Sequence, residues 1–561
     1  MSEISRLALL DTDLLHIIFD NFKRQDDMFI SLLVHPVWTQ ILIRKLWKEP
    51  VWKSPSSYQK FLKTLRSSSP FFPYAEMVRH LNFVPLPYRP HPLFTRKDIR
   101  FIADRCKCLT KLRVGWMMDP FDSYTFCKFL VNSPNLASIS CPDCTMEWLA
   151  KALGPAMSGH CKNLRHLEVK NWVHESGETC ALLERVAGNC GGIISLYAHL
   201  LVTEEIALML VKSFPNLKYF RCHSVTSSAL LILIRGFQKL KGLHLTLDKD
   251  IQDQKNDTEL VEIGKKFPLL DSFQLSIGND KFPPFALTWI QNQHYLQHLE
   301  LSLCDGLTDD SFISIVKHCS NLESIQLKWC SRLTVLSYKA LAQYRNTRLR
   351  QLRVLRSGLN DIGLAKIARH CSRLSKLNID QCPEVTRESL MMIAKNCRKL
   401  VKLTGGFSQQ TLASLGCSLS SHGPGNLQVL KLRDPSYRGS EKNITSNRNF
   451  DHFDGKLLGQ LACNYPQLRK LVIRCTINEL LPDKLVQIIF SLRNLEELFI
   501  TPFEPLDVEH IMKLELHPKL KEIMLLGGCS GDAERYIEQH RNGLKMFIKV
   551  IKHDYKMYTI K

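Results

Sequence analysis

Residues Leu322-Glu323-Ser324-Ile325-Gln326-Leu327 decide the fold: an apolar residue, two variable residues, an apolar residue, one variable residue and a third apolar residue. The pattern occurs seventeen times, and most steps between occurrences are 23 to 30 residues. The leading apolar residues are Val78, Leu109, Leu136, Leu164, Ile193, Leu217, Leu240, Leu270, Leu296, Leu322, Leu349, Leu374, Leu400, Leu427, Leu468, Leu495 and Leu520. Such a unit cannot bury its apolar face alone, so the repeats are expected to stack.

The first half of each repeat predicts a strand and the second half predicts a helix. After Thr308, a candidate N-cap, apolar residues follow at helical spacing: Phe312, Ile315, Val316 and Cys319. Short motifs at this period, with one strand and one helix each, are typical of leucine-rich repeats. The predicted fold class is α/β: a solenoid with a parallel sheet on its concave side and helices outside, preceded by a short three-helix module.

Composition narrows the setting and the partners. The 561 residues carry a net charge of +21, which favours acidic partners such as nucleic acid, anionic lipid, inositol phosphates or phosphorylated proteins. No apolar run approaches the ~20 residues that span a bilayer, so no membrane-spanning segment is expected, and a membrane is not among the predicted partners. Nineteen cysteines without an export signal favour reduced thiols and a cytoplasmic or nuclear location.

Cysteines recur at fixed places in the repeats, as at Cys319, Cys330 and Cys371. Packing of a small buried thiol is the favoured interpretation, with zinc as the alternative. Only one CxxC pair exists, Cys141 to Cys144, without a convincing second pair. We therefore expect no metal and no cofactor. His318 and Cys319 lie at a helix end, where the spacing gives no nucleophile–base pair, so no catalytic residues are assigned and the chain is not expected to be an enzyme.

The N-terminal residues 1–50 differ from the repeats. Apolar side chains crowd three predicted helices, the first started by Asp11-Thr12-Asp13 and the third opened by Pro36-Val37-Trp38. About forty residues can hardly bury so many large side chains internally, so an apolar surface that docks on a partner is expected.

This stretch resembles the F-box, the motif that binds the Skp adaptor of cullin–RING ubiquitin ligases. The matching residues are Leu14-Leu15-x-Ile17-Ile18-Phe19, Asp26-Asp27, Val34-His35-x-x-Trp38 and Leu46-Trp47. Asp11 stands where the family usually has proline, and His35 where it usually has cysteine. The repeats, particularly from Tyr295 to Leu403, resemble the cysteine-containing leucine-rich repeats that accompany F-boxes.

The resemblance implies adaptor-binding residues, namely Leu10, Leu14, Leu15, Ile18, Phe19, Leu33, Val34, Trp38, Leu42 and Trp47. The predicted organisation is an F-box at 1–50, a linking helix at 51–76, about seventeen repeats at 77–530, and a C-terminal cap and basic tail at 531–561. In the linking helix, Tyr58, Phe61, Leu62 and Leu65 recur at helical spacing.

Variable residues of the repeat strands point out of the concave face, because side chains alternate along a strand. Basic residues concentrate there between Lys328 and Arg474. We expect this surface to bind an acidic or phosphorylated protein through Lys328, Trp329, Arg353, Lys376, Lys402, Lys431, Arg433, Lys470 and Arg474. The alternative is a solvated basic surface on a generally basic protein.

The resemblance implies a substrate receptor of a Skp–cullin–F-box ubiquitin ligase, which would direct its targets to proteasomal degradation. The alternative is a repeat scaffold with no ligase role. Nucleic-acid binding rests on charge alone, because the sequence has no base-stacking motif or compact basic helix. The substrate, any required modification or small anion, the curvature, the oligomeric state and the role of the insertion at 435–454 are not predicted.

Overall fold

The computed structural model describes residues 12–20, 25–52, 55–84, 95–115, 123–145, 162–171, 176–247, 270–277, 290–344, 348–406, 426–433, 453–478, 480–502, 504–526, 529–540 and 547–551. They belong to two compact units, Met1–Thr246 and Leu247–Lys561. Both units consist of parallel strands alternating with helices, which is the leucine-rich-repeat fold class predicted from the sequence.

The strands of the first unit follow the repeat pattern. They are β1 (His80–Asn82), β2 (Lys111–Arg113), β3 (Ser138–Thr145), β4 (His166–Asn171), β5 (Ser195–Val202), β6 (Tyr219–Val225) and β7 (Gly242–Leu247), whose last residue lies across the unit boundary. Strands β1 to β6 pair consecutively and in parallel. Each strand begins two residues after the leading apolar residue of its repeat, so that residue fixes where pairing starts.

The second unit continues the pattern with more strands. They are β8 (Ser272–Ile277), β9 (His298–Ser302), β10 (Ser324–Lys328), β11 (Gln351–Leu355), β12 (Lys376–Ile379), β13 (Lys402–Gly406), β14 (Val429–Arg433), β15 (Phe453–Asp454), β16 (Lys470–Asn478), β17 (Glu497–Thr501), β18 (Glu522–Leu526) and β19 (Phe547–Ile551). Neighbours pair in parallel, except that β14 pairs directly with β16 while the short β15 pairs with the far end of β16. Strand β19 pairs with β18, so the segment expected to be a cap supplies a further strand.

Helices occupy the second half of most repeats. In the first unit they are α1 (Thr12–Asp20), α2 (Gln25–Ser31), α3 (Pro36–Lys48), α4 (Pro55–Arg66), α5 (Tyr74–Met77), α6 (Arg96–Arg105), α7 (Ser123–Asn132), α8 (Ser176–Asn189), α9 (Glu204–Ser213) and α10 (Ser227–Gly236). In the second they are α11 (Asp309–His318), α12 (Val335–Gln343), α13 (Asp361–His370), α14 (Arg387–Asn396), α15 (Gly455–Asn464), α16 (Pro482–Ser491), α17 (Val508–Glu515) and α18 (Gly531–His540).

The core is built from the repeat motif itself. Sixteen of the seventeen leading apolar residues are buried, and Leu400 is half-buried. The predicted helix stripe is confirmed in α11, where Thr308 caps the helix and Phe312, Ile315 and Val316 are buried. One face of each sheet therefore packs inward, and the variable residues remain on the open face.

Hydrogen bonds between consecutive helices hold the repeats in register. The Asp309 carboxylate accepts bonds from Thr334 N at 2.9 Å, from Thr334 Oγ1 at 2.5 Å and from Ser337 Oγ at 2.5 Å. Two repeats later, Asp361 accepts the equivalent bonds from Thr386 and Ser389. Asp309 thus accepts a bond from the Thr334 N–H, which the first turn of α12 cannot satisfy internally, and from two hydroxyls of the same turn.

The repeat cysteines lie in the interior. Cys319, Cys371 and Cys397 follow the last residues of their helices and are buried. Burial raises the pKa of the Cys371 thiol to about 12, because the charged thiolate is disfavoured away from water. These thiols are therefore protonated packing groups at neutral pH.

Helix α4 joins the N-terminal module to the first repeats. Its four predicted apolar residues, Tyr58, Phe61, Leu62 and Leu65, are all buried, and it ends at Arg66. Rings continue the packing on either side: Trp47 stacks on Phe61 at 5.4 Å between centroids, and Trp52 lies 5.4 Å from Phe83 of the first repeat. Arg66 also pairs with Asp98 at 2.7 Å, so the linking helix is tied to α6 as well.

Candidate functional site: two interaction surfaces

The first candidate surface is the apolar outside of the N-terminal module. Four residues form its core, Leu15 and Phe19 of α1 with Ile41 and Leu42 of α3. Helices α1 and α2 and the turn after α2 also carry exposed apolar side chains: Leu14, Ile17, Ile18, Phe29, Ile30, Leu33 and Val34. Leu33 is 82% exposed and Ile30 66% exposed. We call these seven residues the apolar surface.

The turn between α2 and α3 shows what the unusual His35 does. His35 is the N-cap of α3, and its Nδ1 accepts a hydrogen bond from Val37 N at 3.3 Å. Pro36 follows at the first helical position, where its missing N–H costs nothing. His35 therefore caps the start of α3.

The predicted adaptor-binding residues divide into three groups. Leu14, Ile18, Leu33 and Val34 are exposed, and they belong to the apolar surface. Leu15, Phe19 and Leu42 are buried and shape the module from within, while the half-buried Trp38 packs edge-on against Phe19 at 5.2 Å. Trp47 faces the linking helix, and Leu10 lies outside the described residues.

The second candidate surface is the open face of the sheet from β10 to β16, which we call the basic face. Lys376 of β12 is the register partner of Lys402 of β13. In the adjacent row, Arg353, Asn378 and Thr404 are register partners on β11, β12 and β13, and Lys431 pairs with Thr404 from β14. Parallel pairing thus brings cations from separate repeats together, because neighbouring strands lie about 4.8 Å apart.

Two of the predicted basic residues are neutralised by carboxylates on neighbouring strands. Lys328 of β10 forms an ion pair with Glu300 of β9, and Lys470 of β16 forms one with its register partner Glu497 of β17. Each pair joins repeats about one period apart in sequence. These two lysines contribute little net charge to the basic face.

Arg353, Lys376 and Lys402 differ from those two lysines. Within the described part of the chain, none of the three forms an ion pair, and Arg353 Nε is buried without a hydrogen-bond partner. Burial, and then the positive charges of Lys376, Arg353 and Lys470, lower the pKa of Lys402. The depressed pKa reports an environment in which one more positive charge is unfavourable.

Trp329 stands at the edge of the basic face. It directly follows β10, is 38% exposed, and carries the Arg356 guanidinium 4.3 Å above its ring centroid. Leu303, Trp329, Arg356 and Gln381 occupy the same place in four successive repeats, and all have positive φ, between 48° and 57°. Side chains other than glycine are disfavoured in this conformation, so the repeat turn itself imposes it. The sequence shows no glycine there that would have marked this edge.

The remaining predicted residues are less defined. Lys431 is half-buried, whereas the side chains of Arg433 and Arg474 lie outside the described residues, as does most of the insertion at 435–454. In the first unit, sequence reasoning missed two ring stacks on the open face of β5 and β6. His199 stacks on His223 at 3.8 Å, and Arg221 lies 4.4 Å over Tyr197.

The described residues contain neither a cluster of metal-ligating side chains nor a helix that could span a membrane. No three His, Cys, Asp or Glu side chains among them converge on a possible metal position. The helices they form are all too short or too polar to cross a lipid bilayer.

Comparisons with known proteins add limited matches. No protein-family model matches the chain. A stretch of 102 residues, 18% of this chain, is 30% identical to the antagonist of mitotic exit network protein 1 from Candida glabrata, and the match spans 20% of that protein.

Two solved structures are similar in part. The yeast Rad7–Elc1 complex matches 79% of this chain and 97% of the compared chain, with 16% identity and a TM-score of 0.42. The leucine-rich-repeat ectodomain of the receptor kinase GASSHO1/SCHENGEN3 from Arabidopsis thaliana matches 85% of this chain and 64% of its own, with 12% identity and a TM-score of 0.31.

Proposed function

We propose that the chain is the substrate-recognition subunit of a Skp–cullin–F-box E3 ubiquitin ligase. On this proposal the apolar surface docks the Skp adaptor and, through it, the cullin–RING ligase. The basic face recruits an acidic or phosphorylated protein for ubiquitination. The chain performs no bond chemistry; it raises the concentration of target lysines near a ubiquitin-charged enzyme by tethering both.

The observation that carries the proposal is the exposure of the apolar surface. Seven large apolar side chains lie exposed on one small module, whose described core cluster consists of Leu15, Phe19, Ile41 and Leu42. Large apolar side chains exposed in this number indicate a protein interface, because water solvates them poorly. Leu14, Ile18 and Val34 of this surface belong to the positions that resemble the F-box.

The attachment of the module supports the same role. A receptor must present its target at a set distance, and the rings of Trp47, Phe61, Trp52 and Phe83 pack the module and linking helix on the first repeat. The Arg66–Asp98 ion pair adds a polar tie. Such packing restrains the module instead of leaving it on a loose tether.

The experiment is co-purification of the full chain from cells, scored for the Skp adaptor and cullin. The test variant Ile18→Asp/Leu33→Asp charges the apolar surface. The control, Leu208→Asp/Leu336→Asp, charges two exposed leucines on outer helices α9 and α12. We expect wild type and control to recover both partners and the test variant to lose them. Recovery of neither partner with wild type would overturn the proposal and leave a repeat scaffold.

A further inference from the structure

The basic face contains one place where positive charge and unpaired polar atoms coincide. Lys376 and Lys402 are register partners, so their Cα atoms are about 4.8 Å apart. Arg353 lies one strand and two residues from Lys376, so the Cα atoms of these two residues are about 8 Å apart. All three side chains are long enough to direct their charged ends to a common point above β12.

Two buried polar atoms lie in the same three strands without partners. Arg353 Nε has no hydrogen-bond partner among the described residues, and neither has Thr404 Oγ1, whose residue is 3% exposed. Asn378 lies between them in the row, since it pairs with Arg353 on one side and Thr404 on the other. A buried polar group without a hydrogen-bond partner destabilises the fold, so such groups are rare and often have a functional reason.

Among the residues that the structure describes, no carboxylate forms an ion pair with Arg353, Lys376 or Lys402. The outer lysines of the basic face are held by Glu300 and Glu497, which leaves them unavailable to a ligand without first breaking an ion pair. Asp380 follows β12, two residues beyond Asn378, so its Cα atom is about 8 Å from that of Arg353 and about 13 Å from that of Lys376. Asp380 is itself buried.

We propose that Arg353, Lys376, Lys402 and Thr404 form a cradle for a single phosphoryl group. A phosphoryl group carries about −1.5 to −2 charges and three acceptor oxygens. Three cations and a hydroxyl match that charge and that number of acceptors, and binding would supply partners for the two unpaired atoms. Lys328 and Lys470 are neutralised by carboxylates, so the uncompensated positive charge is that of Arg353, Lys376 and Lys402. That charge suits one phosphoryl group and is too small for a polyphosphate.

The phosphoryl group is carried by a phosphoserine or phosphothreonine of the recruited protein. Five strand steps separate β10 from β16 on the basic face, which gives a width of about 24 Å, enough for an extended segment on either side of the cradle. This inference rests on the proposed role of the basic face as the recruiting surface, and it makes recruitment dependent on phosphorylation.

The test is fluorescence anisotropy with the full chain and a labelled eleven-residue Gly/Ala/Ser peptide that has one central phosphoserine. Its unphosphorylated form is the second probe, and inositol hexakisphosphate and inorganic phosphate are competitors. The test variants are Lys376→Gln/Lys402→Gln and the near-isosteric Thr404→Val. The control Lys366→Gln/Lys395→Gln removes the same charge from exposed positions on helices α13 and α14. Thermal unfolding of each variant verifies that it folds.

We expect the phosphopeptide to bind wild type and the control equally, and the double cradle variant about tenfold more weakly, because hydrogen bonds to charged groups are lost. Thr404→Val should also bind more weakly. Equal affinity for the phosphorylated and unphosphorylated peptides would overturn the proposed cradle. An equal loss of phosphopeptide affinity in the cradle and control variants would overturn it as well. Cradle-dependent binding of inositol hexakisphosphate without phosphopeptide binding would refute the protein source. Because the cradle variant should still capture the Skp adaptor, failure here is distinguishable from failure of the proposed function.

Discussion

Replacing Asp309 by asparagine tests the hydrogen bonds that hold one repeat on the next. The carboxylate accepts three bonds from Thr334 and Ser337, across the boundary between α11 and α12. Asparagine keeps one acceptor oxygen but turns an NH₂ group toward donors, so at least one bond to a charged group is lost, worth about 1.5–3 kcal/mol. The loss of a negative charge at the start of α11 adds about 0.3–1 kcal/mol to this destabilisation, because a negative charge there interacts favourably with the helix dipole.

The neighbouring Asp310→Asn is the matched control. Asp310 also lies in the first turn of α11 but is exposed, so its replacement removes only the helix-dipole contribution. The difference in the free energy of local opening between the two variants gives the contribution of the inter-repeat bonds, about 1.5–3 kcal/mol. Hydrogen exchange by mass spectrometry on peptides covering α12 is the suitable assay, because it reports local opening in a chain too long for two-state unfolding.

The pH dependence gives the same prediction an independent check. Burial opposes ionisation of Asp309, but hydrogen bonds from Ser337 and Thr334 outweigh it and lower its pKa. A carboxyl with a lowered folded-state pKa stabilises the fold fully above its unfolded value of about 3.9 and loses that contribution as pH falls through the folded value. The difference in hydrogen-exchange protection of α12 between Asp309→Asn and Asp310→Asn should thus be constant near pH 7 and shrink below about pH 4. Equal protection of α12 in both variants at pH 7 would refute the reasoning.

Three further outcomes follow from individual residues. Lys402→Gln should raise the melting temperature at low salt, because the Lys402 charge is repelled by neighbouring cations. The gain should fade as salt is added, since salt screens the repulsion. Lys366→Gln should leave the melting temperature unchanged. At the positive φ of Trp329, Trp329→Gly should be more stable to denaturant than Trp329→Ala by about 1 kcal/mol, and the reverse order would contradict the turn geometry. Iodoacetamide at pH 8 should modify the exposed Cys463 far faster than the buried Cys371, whose pKa is about 12; equal rates in the folded protein would contradict the packing role.

The repeat architecture could be predicted because its determinants are local. A leading apolar residue such as Leu322 fixes a strand start, and a polar cap such as Thr308 fixes a helix start within the same repeat. Strand β19 was missed because the segment before Phe547 lacks the repeat motif, although its strand pairs with β18 as the others do. In the N-terminal module, helical spacing marked the apolar residues but did not separate the buried Leu15 from the exposed Leu14.

The candidate cradle needed the register between strands. Composition and alternation along the strands gave the basic residues of the open face. Which of them remain uncompensated depends on partners in adjacent repeats, as for Lys328 with Glu300. The buried, unpaired Oγ1 of Thr404 is likewise invisible without the packing around β13, since threonine is an ordinary strand residue.

Isothermal titration calorimetry of the purified chain with purified Skp adaptor tests whether the apolar surface binds that adaptor. We expect a 1:1 complex with wild type, binding at least about tenfold weaker for Leu33→Asp, and unchanged binding for Leu208→Asp, because burying an uncompensated charge at the apolar surface is costly. No binding by wild type, or equal binding by Leu33→Asp, would contradict the proposed adaptor binding.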